Sequence, residues 1–588
     1  MIIQSLCDYY VRKQASNPNS IPPIGYEEGA ISFVVVLEDD GGFVNIEDWS
    51  IGEGRRRHGR PTFVPQGIDR PGKDSWKTAF LLWDHPRYVF GLPRDKDDKT
   101  MAAKRRGAFT HRVESSFPDP SIDTGVNAVL QFCANAKNLE SSMRHPLWPE
   151  IRDSNGNVTF KLRRATDLVC QTPIVVETVT REFNEKSEIG VGQCLVSGKT
   201  GAIAKLHRAT PVPGSQATAK LHSYNLDTFN SYGKVQGANA PVSNIAAFEY
   251  TTALNDLLAS RNLSAKKQCL QIGDAWTVFW ADKTVELETG VVDIFGEPPN
   301  DDPDCNVRAV TSLYKAIENG LLENDEGRVK FFVLGLAPNI ARIAIRFWHY
   351  NTVAEMAVRI RQHFEDLKIV RREHDYEYLP LKSLLNSTAQ TSQKYPKGDP
   401  EKLPPNLSGD LMRSILMDLP YPATLLAAAV RRIRAEHEVT YARASLIKAC
   451  INRATRYSNP AMKEELTMSL NETNANPAYR LGRLFAVLER VQEEANGKAT
   501  IREGYYGAAS SMPVTVFPRL LKLNHHHITK LEKEKKGRAV NLEKLIGVIM
   551  EDVVDEFPSQ LSLQDQGRFA IGYYHQKQHP STYKTQGE

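Results

Sequence analysis

Paired cysteines are missing from this chain. Its seven cysteines, at positions 7, 133, 170, 194, 269, 305 and 450, are odd in number and widely spaced, and no CxxC occurs. That pattern excludes a disulfide framework and a zinc ribbon, and points to reduced thiols in a cytoplasm. Long apolar runs are missing too. No stretch of about 18 uncharged apolar residues is present, so no membrane span is expected. The opening MIIQSLCDYYVRKQ reads as a short amphipathic helix and lacks the basic start and apolar core of a signal peptide. Catalytic signatures are equally scarce: there is no nucleophile elbow and no HExxH.

Three local matches to catalytic or metal motifs fail on spacing. GQCLVSGKT ends like a phosphate-binding loop, but Gly192 lies six positions before Gly198 where that loop needs five. His374 and Asp375 form an HD pair with no further ligands nearby, which reads as a solvated charged turn. His525, His526 and His527 are consecutive, and consecutive helical residues point about 100° apart, so they cannot converge on one ion. They read as a partly exposed helix end. No metal, cofactor or catalytic residue is expected, and the chain reads as non-enzymatic.

What is present is an ordinary globular composition, 41% hydrophobic and 24% charged over 588 residues, which calls for two to four domains. The net charge of +4 is small, but its distribution is uneven. Residues 51–112 carry 15 Lys and Arg against 7 Asp and Glu, and residues 431–460 carry 7 against 2. Two basic zones on a near-neutral chain suggest polyanion contact at defined places, with two well-solvated faces as the alternative.

The pattern along the chain predicts an α+β protein: a mixed α/β N-terminal region with antiparallel hairpins over 1–384, a linker over 385–410, and an all-helical bundle over 411–588. ISFVVVLEDDGGFVNIEDW predicts a hairpin around a double-glycine turn. VKFFVLGLAPNIARIAIRFW predicts another, and β-type runs are expected at 166–177 and 191–206. IAAFEYTTALNDLLAS predicts a helix capped by Ser243 or Asn244. The Ser-, Thr-, Gln- and Pro-rich stretch from 385 to 410 has too little apolar surface to offset its ordering entropy. Beyond it, Asn476 and Pro477 predict an N-cap and first turn, followed by Leu481, Leu484, Phe485, Leu488 and Val491 at helical spacing.

Several long segments carry a family resemblance. ISFVVVLEDDGG, VPQGIDRPGKDSWKTAFLLWDHPRYVFGL, HSYNLDTFNSYGKVQGANAPVS, TNANPAYRLGRLFAVLERVQEEANG, YYGAASSMPVTVFPRLLKLNHHH and FPSQLSLQDQGRFAIGYYHQKQ occur in this order. Over nearly its full length the chain resembles the large subunit of the type I-C CRISPR surveillance complex, Cascade. The resemblance implies a non-catalytic recognition subunit at the 5′ end of the CRISPR RNA, beside the RNA-processing subunit and the Cascade backbone subunits. It implies inspection of target double-stranded DNA for a short protospacer-adjacent motif, opening of the duplex as an R-loop, and support for a docking helicase–nuclease. It also implies that the helical region resembles the small subunit, which holds the separated strand and is made by internal translation of the same gene.

Guide pairing supplies sequence specificity in such systems, so the protein needs a short motif reader and phosphate contacts. The candidate DNA-binding residues follow from that need. Arg55, Arg56 and Arg57, with Arg60, form an arm between glycines, and Lys104, Arg105 and Arg106 form a second cluster. Gln66, Arg70 and Lys73 share the loop PQGIDRPGKD, where glycines and proline let backbone approach a groove. Lys220, Lys234, Gln236 and Asn239 surround the central loop SYGKVQGANAPVSN, with a turn that caps the next helix as the alternative for Asn239. Arg432, Arg443 and Arg453 are candidates for facing the displaced strand. A nuclease or helicase of the same defence system, or a scaffold that touches only protein and RNA, are the competing readings.

Overall fold

The computed structural model describes residues 1–67, 70, 72–93, 99–154, 156–224, 226–259, 268–340, 342–551 and 556–579. The chain forms two compact units, one of residues 1–210 and 220–256, the other of 211–219 and 257–588. The division falls between 256 and 257, not within 385–410.

The first unit is built on a five-stranded sheet. Its strands are β1 (Tyr26–Leu37), β2 (Phe43–Asp48), β3 (Arg60–Pro65), β4 (Trp83–Asp84) and β5 (Asn157–Leu162). The path runs β2-β1-β5-β4, with β3 also pairing β1; only β1 and β5 are parallel. β1 reads SFVVVL without alternation because it is central and buried from Ile31 to Leu37. The predicted β1–β2 hairpin is present. Its turn needs Gly41, which has φ +84° and where a Cβ would stand 2.6 Å from that of Gln131.

The helices of this unit are α1 (Ile2–Ser16), α2 (Pro86–Val89), α3 (Lys99–Ser116), α4 (Thr124–Ala134), α5 (Ala136–Met143), α6 (Trp148–Asp153), α7 (Pro173–Glu185) and α8 (Asn244–Ala259), the last turn of which belongs to the second unit. α3 and α4 cover the sheet through Phe109, Val113, Val129 and Phe132. The run 166–177, expected as β, instead enters α7, because Pro173 at the first turn pre-sets helical φ. The run 191–206 holds the short hairpin β6 (Val191–Gln193) and β7 (Thr200–Ala202). Ser243 caps α8, its Oγ accepting from the Ala246 N–H at 3.3 Å.

The second unit combines an antiparallel sheet with helices. β8 (Cys269–Ile272), β9 (Ala275–Ala281), β10 (Lys330–Asn339) and β11 (Arg342–Thr352) are ordered β11-β10-β9-β8. The predicted β10–β11 hairpin is present, and the Phe347 ring lies over Gly335, where a Cβ would meet it at 2.2 Å. The helices are α9 (Leu287–Phe295), α10 (Cys305–Glu318), α11 (Val353–Leu367), α12 (Leu381–Asn386), α13 (Leu407–Met417), α14 (Ala423–Glu436), α15 (Tyr441–Ser458), α16 (Pro477–Asn496), α17 (Ile501–Ala509), α18 (Pro513–Glu551) and α19 (Leu563–Gln578). Asn476 caps α16 as predicted, accepting from the Ala478 and Tyr479 N–H groups. Among the described residues no helix is long and apolar enough to cross a membrane.

One core runs from Ile272 through Phe364, Leu385 and Leu411 to Tyr574, so sheet and bundle are not separate domains. The 385–410 stretch, expected as a linker, is ordered against this core. Leu385, Ala389 and Leu407 are buried, the Ser387 carbonyl accepts from Arg443 Nε at 2.9 Å, and Gly398 packs on the Asn386 carbonyl. Many of its polar side chains face water, and its backbone closes on itself, as in the Asp399 N–H to Gln390 carbonyl bond.

The tightest helix pair is α16 with α19. A Cβ on Gly482 would stand 2.0 Å from the Phe569 carbonyl oxygen, and one on Gly572 2.0 Å from that of Tyr479. Backbone, not a movable side chain, blocks the methyl at both sites. Gly482→Ala and Gly572→Ala are each expected to cost ~3 kcal/mol, the upper end for overpacking. Gly504→Ala, on an exposed part of α17 with nothing within 4 Å, is expected to be neutral or stabilising by up to ~1 kcal/mol. Thermal melts of the three variants check this; a wild-type midpoint for Gly482→Ala would refute the close contact.

Candidate nucleic-acid interface

The basic residues of the first unit divide into those consumed by the fold and those that face solvent. Arg70 belongs to the former. Its Nε donates to the Thr78 carbonyl at 2.6 Å, its guanidinium pairs with Asp84, and it lies 3.7 Å over Phe80 and 4.0 Å over Tyr88. Asp84 is fully buried and also accepts from the Phe80 and His85 N–H groups. Arg70 is thus the counter-charge of a buried carboxylate, not a side chain free for a base edge. Gln66 is half-buried, with its N–H bonded to the Gly25 carbonyl at 2.8 Å. The side chains of Lys73 and Arg55 lie outside the described residues.

The arm expected at 55–60 is a folded turn, closed by paired backbone bonds between Ile51 and His58. Arg57 pairs with Asp48 and Glu150, whereas Arg56 stays exposed and Arg60 lies over Trp49. The cluster at 104–106 sits on α3 and splits by helical geometry. Arg105 is buried, and Arg106 donates to the Cys133 carbonyl at 2.7 Å at the C-terminal end of α4. Lys104 is exposed, with its Nζ 5.3 Å over the Trp76 ring.

That Lys104–Trp76 contact lines an open groove of about 530 Å³ between α3 and the 3₁₀ turn Gly72–Lys77. Lys77, Lys104, His111 and Arg112 surround it, with Gly107 on its floor. A Cβ on Gly107 would meet nothing within 4 Å, so the helix backbone is open to a close neighbour there. Arg112 is held by Glu182 at 2.9 Å, while Lys77 makes only an exposed, solvent-screened pair with Asp74 at 3.0 Å and stays adjustable along with Lys104 and His111. Cations beside an indole and a bare backbone suit a phosphate chain with an adjoining planar group. Sequence reading found Lys104 but missed Trp76 and His111, because only the fold brings 76–77 beside α3.

The central loop is organised by Asn239. Its Oδ1 accepts from the Ser231 N–H at 2.9 Å, and its Nδ2 donates to the Gln236 carbonyl at 2.9 Å and the Lys234 carbonyl at 3.3 Å. Asn239 therefore closes the loop on itself and does not cap α8. Lys234 is exposed, Lys220 is half-buried, and the Gln236 Oε1 is buried without a hydrogen-bond partner among the described residues. Beneath the loop His207 stacks on His222 at 4.4 Å and bonds Tyr250 through Nδ1 at 2.6 Å. Burial holds His207 neutral, down at about 3.

In the second unit the zone 431–460 exposes Arg431 and Arg434, but its three candidate arginines are engaged by the fold. Arg443 and Arg453 are buried. Arg443 pairs with Glu436, which also takes Arg432; Arg453 pairs with Asp366 at 2.9 Å and donates to the Ser414 and Leu419 carbonyls. A charge count confined to 431–460 misses Asp366, supplied by α11. None of the three arginines is placed to meet a phosphate.

A longer row of exposed cations lies on α18. Arg519, Lys522, His526, Lys530 and Lys533 follow at 3, 4, 4 and 3 spacing and all are exposed, so they share one helical face of ~21 Å. Arg538 on the same helix is ion-paired with Glu494, but Arg519, Lys522, Lys530 and Lys533 make no ion pair among the described residues. The three histidines, expected at a helix end, are in mid-helix, and no group of metal-ligating side chains occurs among the described residues. GKT lies on the β6–β7 hairpin turn, where the Cys194 N–H donates to the Lys199 carbonyl, rather than before a helix. His374 is exposed and Asp375 is half-buried in a turn closed by the Arg372 N–H.

These positions separate stability from binding. Arg70→Ala leaves the Asp84 carboxylate buried and unpaired and is expected to cost ~3–5 kcal/mol. Lys104→Ala is expected to cost under ~0.5 kcal/mol. Urea denaturation distinguishes them, and equal midpoints would show Arg70 to be dispensable to the fold.

A comparison with curated proteins gave no match. The family model for the CRISPR-associated protein (Cas_Csd1) matches residues 6–580, nearly the whole chain. It supports the Cascade-type component that the resemblance implied. The chain belongs to the CRISPR-associated protein (Cas_Csd1) family.

Proposed function

We propose that the chain is the non-catalytic large subunit of a type I-C Cascade surveillance complex. It recognises the protospacer-adjacent motif in duplex DNA, promotes R-loop formation and supports recruitment of the helicase–nuclease, with CRISPR RNA and the other Cascade subunits as partners. The observation that carries this reading is the α3 groove: Trp76, Lys77, Lys104 and His111 around the open backbone of Gly107, in a member of a CRISPR-associated family. The unpaired face of α18 is the second polyanion contact, and it takes the role first assigned to Arg432, Arg443 and Arg453.

Gel shifts of the assembled complex on duplexes with and without the motif test this. Lys77→Gln, Lys104→Gln and His111→Gln together should weaken duplex binding while RNA loading persists. Each lost phosphate contact should reduce the log–log salt slope by ~0.9, and loss of a base contact should flatten the motif preference by ~1–3 kcal/mol. Lys522→Gln, Lys530→Gln and Lys533→Gln together should weaken binding without touching the preference. Unchanged affinity and slope in the first variant would remove the groove from the interface.

The internally translated small subunit follows from the same reading, and the packing favours one start. Met462 and Met468 are both exposed in the loop before α16, and either start keeps α16 to α19 whole. Only the Met462 start retains Glu465, which pairs with Arg568 of α19 at 2.5 Å, and the buried Leu466. Expression with a C-terminal tag should yield a copurifying fragment that runs from Met462 to Glu588, its start read by N-terminal sequencing. It should vanish on Met462→Leu and persist on Met468→Leu. A complex that never contains the fragment would refute the second product.

A further inference from the structure

The turn Ser231–Lys234 has a feature that neither packing nor charge explains. The Lys234 N–H donates to the Ser231 carbonyl at 3.0 Å, and both residues between them are left-handed, Tyr232 at φ +52° and Gly233 at φ +70°. Gly233 is suited to that conformation; a tyrosine is not, and holding one there stores strain. Burial does not compensate, because Tyr232 is 98% exposed. The turn is held, not loose: Asn239 bonds Ser231, Lys234 and Gln236, and the Gly237 N–H bonds the Lys205 carbonyl. In the preceding segment, rings run outward from the core, His207 to His222 at 4.4 Å, His222 to Tyr224 at 5.1 Å and Tyr224 to Phe229 at 6.4 Å.

A strained tyrosine presented on a braced turn, with an exposed lysine two residues on, is a shape built for a partner. We propose that Tyr232 is a stacking platform for an unpaired nucleobase, with Lys234 holding the adjoining phosphate. The proposal rests on the reading that this chain works on nucleic acid. A base offers a flat π face to a ring that stands clear of its neighbours, together with a negative charge one bond series away. A protein contact would anchor instead on a side chain already bedded among apolar neighbours. The same turn explains why glycine follows: Gly233 lets the chain reverse at once and leaves one side of the ring uncrowded, with nothing within 4 Å of its would-be Cβ.

Fluorescence anisotropy of the purified full-length chain with a labelled, mixed-sequence single-stranded oligonucleotide tests this, with 2-aminopurine quenching as a direct readout of stacking. Tyr232→Ala and Tyr232→Gly should bind about 5- to 150-fold more weakly and abolish the quenching. Tyr232→Phe should retain both, since stacking needs the ring and not the hydroxyl. Tyr232→Gly should also melt at or above the wild-type temperature, because glycine relieves the left-handed strain; a structural role would lower it. Wild-type affinity and quenching in Tyr232→Ala would overturn the proposal. So would intact oligonucleotide binding with lost assembly, which would make the ring a protein contact. Either result leaves the α3 groove standing on its own duplex assay, whereas failure of that assay with Tyr232-dependent quenching would remove the groove alone.

Discussion

A carboxylate withheld from water ties the second unit together. Asp366, on α11 behind the sheet, is 4% exposed and receives Arg453 and Arg456 of α15, while the Lys448 ammonium bonds its carbonyl. Arg453 then reaches the Ser414 carbonyl at the end of α13 and the Leu419 carbonyl beyond it. The sheet layer and the bundle are thereby committed to each other, since removing either sign leaves a buried charge at a cost of ~3–5 kcal/mol. His363 one turn earlier, bonded to Tyr421 and held neutral by burial at about 3, belongs to the same interior. A unit wired in this way cannot come apart at 385–410, however polar that segment reads.

The parts of the fold that were legible in the sequence are those governed by local chemistry. The glycine turn before β2, the hairpin ending at Asn339 and the Asn476–Pro477 start of α16 all depend on residues within four positions of one another. What was not legible depends on distant partners. The order of 385–410 needs Arg443, from the far side of α13 and α14 in the chain, as donor to the Ser387 carbonyl. Likewise Arg432 and Arg443 are held by Glu436, and Arg453 and Arg456 by Asp366, which no window of composition around 431–460 contains. The family resemblance covered nearly the whole chain, yet it could not say which cations point outward.

The same reasoning explains how the α18 face escaped notice. Its 3, 4, 4, 3 spacing is written in the sequence, and residues 519–538 carry 7 Lys and Arg against 2 Glu, but which of those cations share a face depends on helical geometry. Glu532 points about 100° away from Lys533, whereas Glu534 stands one turn after Lys530 at the edge of the row. The histidine triplet drew attention as a metal motif when only its middle member lies on the face that matters. Conversely, the Arg105 that looked like part of a cluster is turned inward, leaving Lys104 to meet Trp76.

Cations left unpaired are a cost that the fold has to carry. On α18, Arg519 with Lys522 and Lys530 with Lys533 are like-charged pairs at i,i+3, each unfavourable by ~0.2–0.5 kcal/mol. The helix bears this because its opposite side is anchored by Phe517, Leu520, Ile528 and Leu531 in the core and by Arg538 on Glu494. A polyanion laid along the face removes the repulsion at the moment of binding, so part of the affinity comes from relief within the helix. Contacts of that kind are indifferent to sequence and fade with salt. On the proposed function, discrimination would fall to the first unit, where Trp76, Lys77, Lys104 and His111 are set against a helix whose backbone is bare at Gly107. On that reading, the α18 face would retain a strand and the α3 groove would choose one.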